Sequence, residues 1–248
     1  MLIDTHCHLV NEDYDIDRVI NNAKEAGVKH LIVSGSDNED NRLNMETLNN
    51  YDCISFSVGY HPSMASSVTE EDYSFLEKCL MNDNNRIVAI GEIGLDYHYG
   101  KDDAELQKKL FKRQLDLAVK YNLPVVIHTR DAFLDTYNII KEYDLLFDIH
   151  CFSGSLETAK MYIDLGCYLG IGGVVTFKNS KLINVLKEIG LSCIVLETDS
   201  PYLSPDRGQK NEPCNVSKVC NYISKELDIP YSEVAKITTD NAKKLFKI

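Results

Sequence analysis

Short apolar runs alternate along the chain with longer amphipathic stretches. Residues 1–4, 30–34, 54–58, 86–90, 124–127, 145–149, 168–171 and 193–196 are mostly continuous in apolar character. Runs of that length without a polar face predict parallel strands covered on both sides. Between them, apolar residues return at helical spacing over 17–26, 70–80, 103–121, 155–165 and 179–189. Gly27, Gly166 and Gly190 mark the stops of three of these helices. Thr69 reads as an N-cap, and Asp102 with Glu105 has the spacing of a capping box. In the 103–121 stretch, Leu106, Leu110, Leu117 and Tyr121 share a stripe with Ala104, Phe111, Leu115 and Ala118. Beyond the eighth run lie a helix over 215–227 and a helical tail through Ile248. Eight strands alternating with helices in 248 residues predict an α/β fold, a closed (β/α)8 TIM barrel forming a single domain over 1–248. The longest irregular stretch, 201–213, is dense in proline, glycine and charge, and loops of that length more often serve function than idle.

In such a barrel the working residues stand at the C-terminal ends of the strands. His6 and His8 follow the first run, Glu92 the fourth, His128 the fifth, His150 the sixth, and Glu197-Thr198-Asp199 the eighth. On a strand the side-chain period is two, so His6 and His8 point one way and Cys7 the other. Imidazole is the commonest protein ligand for transition metals. Four imidazoles and two carboxylates exceed the three protein ligands of one catalytic zinc, and suit two cations that share a carboxylate. The expected ligands are His6, His8 and Asp199 for one metal, His128 and His150 for the other, with Glu92 as the bridge. Arg130 lies two residues past His128, facing the same way on a continuing strand. A guanidinium there suits a phosphate contact or an ion pair with a loop carboxylate. Arg207 and Lys210 add cations in the long loop. Glu197 reads as a partner holding a ligand histidine. Cys7 and Cys151 read as packing, and His30 and His98 as surface or core.

The net charge of −12 argues against a protein that coats nucleic acid through a broad basic face. It leaves room for a few local cations gripping a strand end. Eight cysteines include no C-x-x-C pair, and they read as reduced, mostly buried thiols. The opening residues show no basic n-region or cleavage site, and no apolar run is long enough to span a bilayer. The expectation is a cytoplasmic monomer with no membrane partner.

The ordered motifs closely resemble those of the TatD-type metal-dependent deoxyribonucleases, nearly end to end. They are Leu2-Ile3-Asp4-Thr5-His6-Cys7-His8-Leu9; Gly59-Tyr60-His61-Pro62; Ala89 through Tyr97 around Glu92; Leu123 through Arg130; His150-Cys151-Phe152-Ser153-Gly154; Leu196 through Tyr202; and Arg207-Gly208 with Asn211-Glu212-Pro213. One departure is visible. Where the family carries an acidic residue just after the second histidine, this chain reads Leu9-Val10-Asn11 before Glu12 and Asp13.

The resemblance implies cleavage of single-stranded DNA from its 3′ end, with Mg²⁺ or Mn²⁺ supporting activity and His61 donating to a substrate phosphate. The histidine-rich shell itself favours Zn²⁺, Mn²⁺, Fe²⁺ or Ni²⁺ over Mg²⁺. Taken together, the expected function is a 3′–5′ exodeoxyribonuclease. It would use a two-metal, bridging-hydroxide mechanism, with Asp199 and Glu92 as catalytic carboxylates and His61, Arg130 and Arg207 on the substrate. The rival is an ester hydrolase acting on aminoacyl-tRNA, a D-amino acid deacylase, since the same constellation attacks carbonyls. A third reading is a non-catalytic metal- or nucleic-acid-binding protein.

Overall fold

Eight strands follow one another in sequence order through one sheet of the computed structural model, which describes residues 1–9, 14–82, 84 and 86–248. They are β1 (Leu2–Cys7), β2 (Val28–Ser34), β3 (Ile54–Val58), β4 (Ile87–Asp96), β5 (Val125–Arg130), β6 (Phe147–Ile149), β7 (Tyr168–Ile171) and β8 (Ile194–Leu196). The helices between and after them are α1 (Ile16–Glu25), α2 (Asn38–Leu48), α3 (Glu70–Leu80), α4 (Ala104–Tyr121), α5 (Phe133–Ile140), α6 (Leu156–Asp164), α7 (Leu182–Ile189), α8 (Val216–Leu227) and α9 (Tyr231–Phe246). Every pairing with a defined register is parallel. This is the (β/α)8 TIM barrel that the alternation predicts. The departure after His8, at residues 10–13, lies outside the described residues.

By its internal contacts the chain divides into two compact units. The first joins Met1–Val33 to Cys151–Ile248. In it the chain beyond β8 lies against β1: the Asp199 amide donates to the His6 carbonyl (2.9 Å), and the His8 amide to the Ser200 carbonyl (2.7 Å). Val216, Val219, Cys220 and Ile223 of α8 and Val234, Leu245 and Phe246 of α9 are buried. The second unit, Ser34–His150, carries β3 through β6. Here α4 packs along β4 and buries Leu110, Phe111, Leu115 and Ala118.

Several local expectations hold. Thr69 caps α3 through a reciprocal capping box with Asp72. The helices expected to stop at Gly27, Gly166 and Gly190 do so.

Others do not hold. Helix α4 begins at Ala104 with no side-chain cap bond, so the Asp102–Glu105 box is absent. The neighbouring Asp103 carboxylate instead accepts from Gln107 Nε2 at 2.9 Å. Leu106 is exposed, because the inward face of α4 is turned to bury Gln107 and Gln114. Gln114 takes both the amide and the carbonyl of Tyr60, at 2.7 and 3.0 Å. Gln107 does the same for Asp96, at 2.8 and 2.9 Å. Four of the eight cysteines are buried and four partly exposed, so the thiols are less covered than expected; all eight are free. Helices α2 and α5 had no sequence signal. The buried face of α2 is largely Asn41 and Asn44, whose amides donate to the Gly59 and Ser34 carbonyls.

Candidate metal centre

In the first unit three ligand-type side chains meet beyond the ends of β1 and β8. His6 Nε2 and His8 Nε2 lie 3.1 Å apart. Asp199 Oδ1 lies 3.8 Å from the first and 3.7 Å from the second. Two nitrogens held about 2.1 Å from one ion at an angle near 95° would stand about 3.1 Å apart, so the pair fits one cation. The alternation argument is therefore right for this pair. Cys7 points the other way, buried, with Sγ 3.6 Å from the Ile32 carbonyl. Extra chain lies between Asp4 and Cys7 relative to β2, a bulge at the residue that turns His6 inward. Asp199 sits at φ +55°, a conformation that a non-glycine residue adopts at a cost and that is concentrated at functional sites.

Asp4 supports this cluster and was missed as a functional residue. It is fully buried, and its carboxylate accepts from the Thr198 amide (2.9 Å) and hydroxyl (2.6 Å). The residue before Asp199 is thus tied to the residue two before His6. Burial pushes the Asp4 carboxyl well above the usual range, against the pull of Thr198's two donors. Glu197 is fully buried in this unit. Its Oε1 accepts the Cys151 amide at 2.7 Å, fixing the start of the chain after β6. Tyr202, 61% exposed in the long loop, stands edge-on to His8 with ring centroids 6.2 Å apart. In the same loop Arg207 is exposed and carries no ion pair among the described residues. Lys210 covers the Tyr14 ring, 3.9 Å from its centroid.

In the second unit Glu92, His128 and His150 come together. Glu92 Oε1 lies 2.7 Å from His128 Nδ1 and 3.8 Å from His150 Nε2. A bulge between Ile90 and Ile93, relative to β5, carries Gly91 and Glu92 and re-aims the carboxylate. Gly94 makes this passage possible. It sits at φ +148° opposite His128, and a Cβ there would meet the His128 carbonyl oxygen at 2.0 Å.

Asp96, quoted in the motif but given no role, holds the other face of the ring, with Oδ2 3.0 Å from His128 Nε2. Burial alone would depress the His128 pKa. The Asp96 and Glu92 carboxylates outweigh it and push the imidazole up to about 9. His61 belongs to the same group, within reach of a cation shared with Glu92 and His128. Its ring stands 4.5 Å from that of His128, edge to face. Its Nδ1 accepts the Ser63 amide at 3.2 Å, which leaves the proton of a neutral ring on Nε2 as a donor. Arg130 is exposed at the end of β5, in register with Asp96, and has no ion pair among the described residues. His98 is exposed and His30 half-buried.

A parallel barrel with clustered imidazoles and carboxylates beyond its strand ends defines the class of metal-dependent barrel hydrolases. The comparisons sharpen that class. A family model described as TatD related DNase matches residues 3–247, and the chain belongs to this family of metal-dependent hydrolases. It is 42% identical to the Bacillus subtilis protein named "Uncharacterized metal-dependent hydrolase YabD", each chain covered over its whole length. The crystal structure of the TatD homologue YjjV from Escherichia coli superposes with a TM-score of 0.92 at 31% identity, covering 100% of this chain and 98% of that one. A TatD family hydrolase from Entamoeba histolytica gives 0.90 at 25% identity, covering 99% and 97%. Among the described residues no helix is long and apolar enough to cross a membrane.

Proposed function

We propose that this chain hydrolyses phosphodiester bonds with two divalent cations and removes nucleotides from the 3′ end of single-stranded DNA. The observation that carries the reading is the donor set gathered in each unit beyond the strand ends: His6, His8 and Asp199 in one, Glu92, His128 and His150 in the other. In this reading the first three would hold one cation, and Glu92, His128 and His150 would hold the other. Bound cations would supply the charge that stabilises a phosphoryl oxygen and a leaving alkoxide. Imidazole-rich donors suit Zn²⁺, Mn²⁺, Fe²⁺ or Ni²⁺, and Mg²⁺ or Mn²⁺ would serve in turnover.

The chain's own groups do the rest. Asp199 orients the attacking water and takes its proton. His61, protonated at Nε2, donates to the phosphate. Arg130 and Arg207, neither held in an ion pair among the described residues, contact neighbouring phosphates. The overall charge of −12 disfavours a long duplex at distance, whereas a single-stranded end enters with few phosphate contacts and no unpairing cost. The site would work in the cytoplasm, in a monomer.

A digest of single-stranded DNA labelled at either end, with Mg²⁺ or Mn²⁺, tests this directly. Stepwise loss of 3′ nucleotides is expected, and Arg130→Ala or Arg207→Ala should raise KM while leaving metal content unchanged. Uncut DNA beside rapid deacylation of charged tRNA would reassign the chain to aminoacyl ester hydrolysis.

A further inference from the structure

The chain leaving β4 carries an aromatic residue that the catalytic reading does not use. Tyr99 is 91% exposed. The segment bearing it is firmly held. The Tyr97 amide donates to the Arg130 carbonyl (2.9 Å), and the Gly100 amide to the Tyr97 carbonyl (3.1 Å). The His98 amide donates to Asp96 Oδ1 (2.9 Å), and the Tyr97 hydroxyl to Asp135 (2.9 Å). Gln107 clamps the Asp96 backbone on the other side. The Tyr99 ring is thus displayed on a turn whose neighbouring residues are held by hydrogen bonds.

Its neighbours are planar groups. The Arg130 guanidinium carbon lies 5.9 Å from the Tyr99 ring centroid. The His98 ring stands edge-on at 4.9 Å, itself held by Asp131. Three planar groups, one of them a guanidinium, border one exposed spot. The same turn begins at Asp96, whose carboxylate touches His128. Arg130 is two residues beyond His128 and in register with Asp96. Along a strand, two residues span about 7 Å.

We propose that Tyr99 is a stacking platform for a nucleobase of the substrate strand, with Arg130 gripping the phosphate attached to that nucleotide. The inference rests on the phosphodiesterase reading above and names how that site holds its strand. An exposed aromatic beside a guanidinium is the arrangement that grips single-stranded nucleic acid without reading its sequence, because every base offers a π-face. The platform recognises the base, whereas the metal ligands recognise the phosphate. Tyr99 thus contributes to strand binding and takes no part in proton transfer.

The test compares Tyr99→Ala and Tyr99→Phe with the unaltered protein, all metal-loaded. One substrate is an oligothymidine; the other has the same length with abasic sites at its last three 3′ positions. Cleavage is followed as kcat and KM. Binding is followed by fluorescence anisotropy on 3′-phosphorothioate versions that resist cleavage. Tyr99→Ala should raise KM roughly tenfold and weaken affinity for oligothymidine by about the same factor, and Tyr99→Phe should leave both unchanged. Neither variant should differ from the unaltered protein on the abasic strand. Equal binding of oligothymidine by Tyr99→Ala and the unaltered protein, or an equal loss on both strands, overturns the inference and leaves the nuclease reading intact. If the unaltered protein cuts neither strand yet binds the base-bearing one through Tyr99, the nuclease reading falls and the stacking site stands.

Discussion

The two clusters hold their imidazoles in opposite ways. Beyond β1 and β8, His6 and His8 turn their Nε2 atoms toward each other at 3.1 Å, with Asp199 standing back at 3.7–3.8 Å. Beyond β4 and β5, His128 is clamped on both nitrogens, by Glu92 at 2.7 Å and Asp96 at 3.0 Å. The first arrangement brings donors together around one point. The second stabilises a proton on one ring. Both are reached through the same backbone device, a bulge beside the ligand, at His6 in β1 and at Glu92 in β4. A common fold element thus supports two different electrostatic settings. In one, an arriving cation replaces imidazole–imidazole contact; in the other, it must displace a tightly held proton.

The largest effects should come from removing the carboxylates that set these characters. Asp199→Asn is expected to lower kcat by about 10²–10⁴-fold while the fold persists, as loss of a proton acceptor does. Glu92→Gln should cut activity comparably and also reduce bound metal, read by elemental analysis. Glu92→Gln with full metal content and unaltered turnover would break the proposed ligand role of Glu92.

An intermediate effect should appear in pH dependence. In the metal-free protein the folded His128 pKa stands at about 9, above the ordinary 6.5. Its stabilising contribution is complete below about pH 6.5 and is lost as pH rises through about 9, up to about 3 kcal/mol in all. Urea unfolding of metal-free protein should show that decline, and Asp96→Asn should flatten it. Metal affinity at this cluster should rise over the same interval, as the competing proton leaves.

The smallest effect is expected at Asp4. Burial raises its carboxyl pKa against the pull of Thr198's two donors. Asp4→Asn should lower stability by about 1–3 kcal/mol, because one of Thr198's two donors loses its acceptor. Asp4→Ala should exceed that and weaken metal binding at His6, His8 and Asp199. Urea titration with and without Zn²⁺ separates the two contributions.

What the sequence displayed and what it hid divide along physical lines. The strand-end histidines were legible because an apolar run followed by a polar residue is a local signal, and period two assigns the facing of His6, Cys7 and His8 without knowledge of partners. Asp4 was not legible as a support, since its partner Thr198 is 194 residues away. Gln107 and Gln114 were hidden for a related reason. A helix is expected to bury its apolar stripe, and these amides are inside because each satisfies a backbone amide and carbonyl on a passing segment. Helix α2 escaped notice because asparagines rather than aliphatics face inward. Asp96 lay in a motif, but nothing local says that its carboxylate turns back onto a histidine 32 residues on.

The two glutamines of α4 also constrain how this chain can change length. Gln107 holds the end of β4 at Asp96, and Gln114 holds Tyr60, the neighbour of His61. They lie seven residues apart, close to two full turns and about 10 Å along the axis, so both face the same side. One inserted or deleted residue between them would swing one amide about 100° away from its segment. The backbone beside His61, or that of Asp96, would then lose its two hydrogen bonds. Point substitutions on the outer face of α4 leave this spacing intact. Changes of length belong in the connections before Ala104 or after Tyr121, where the helix can shift as a body without altering the interval between its two grips.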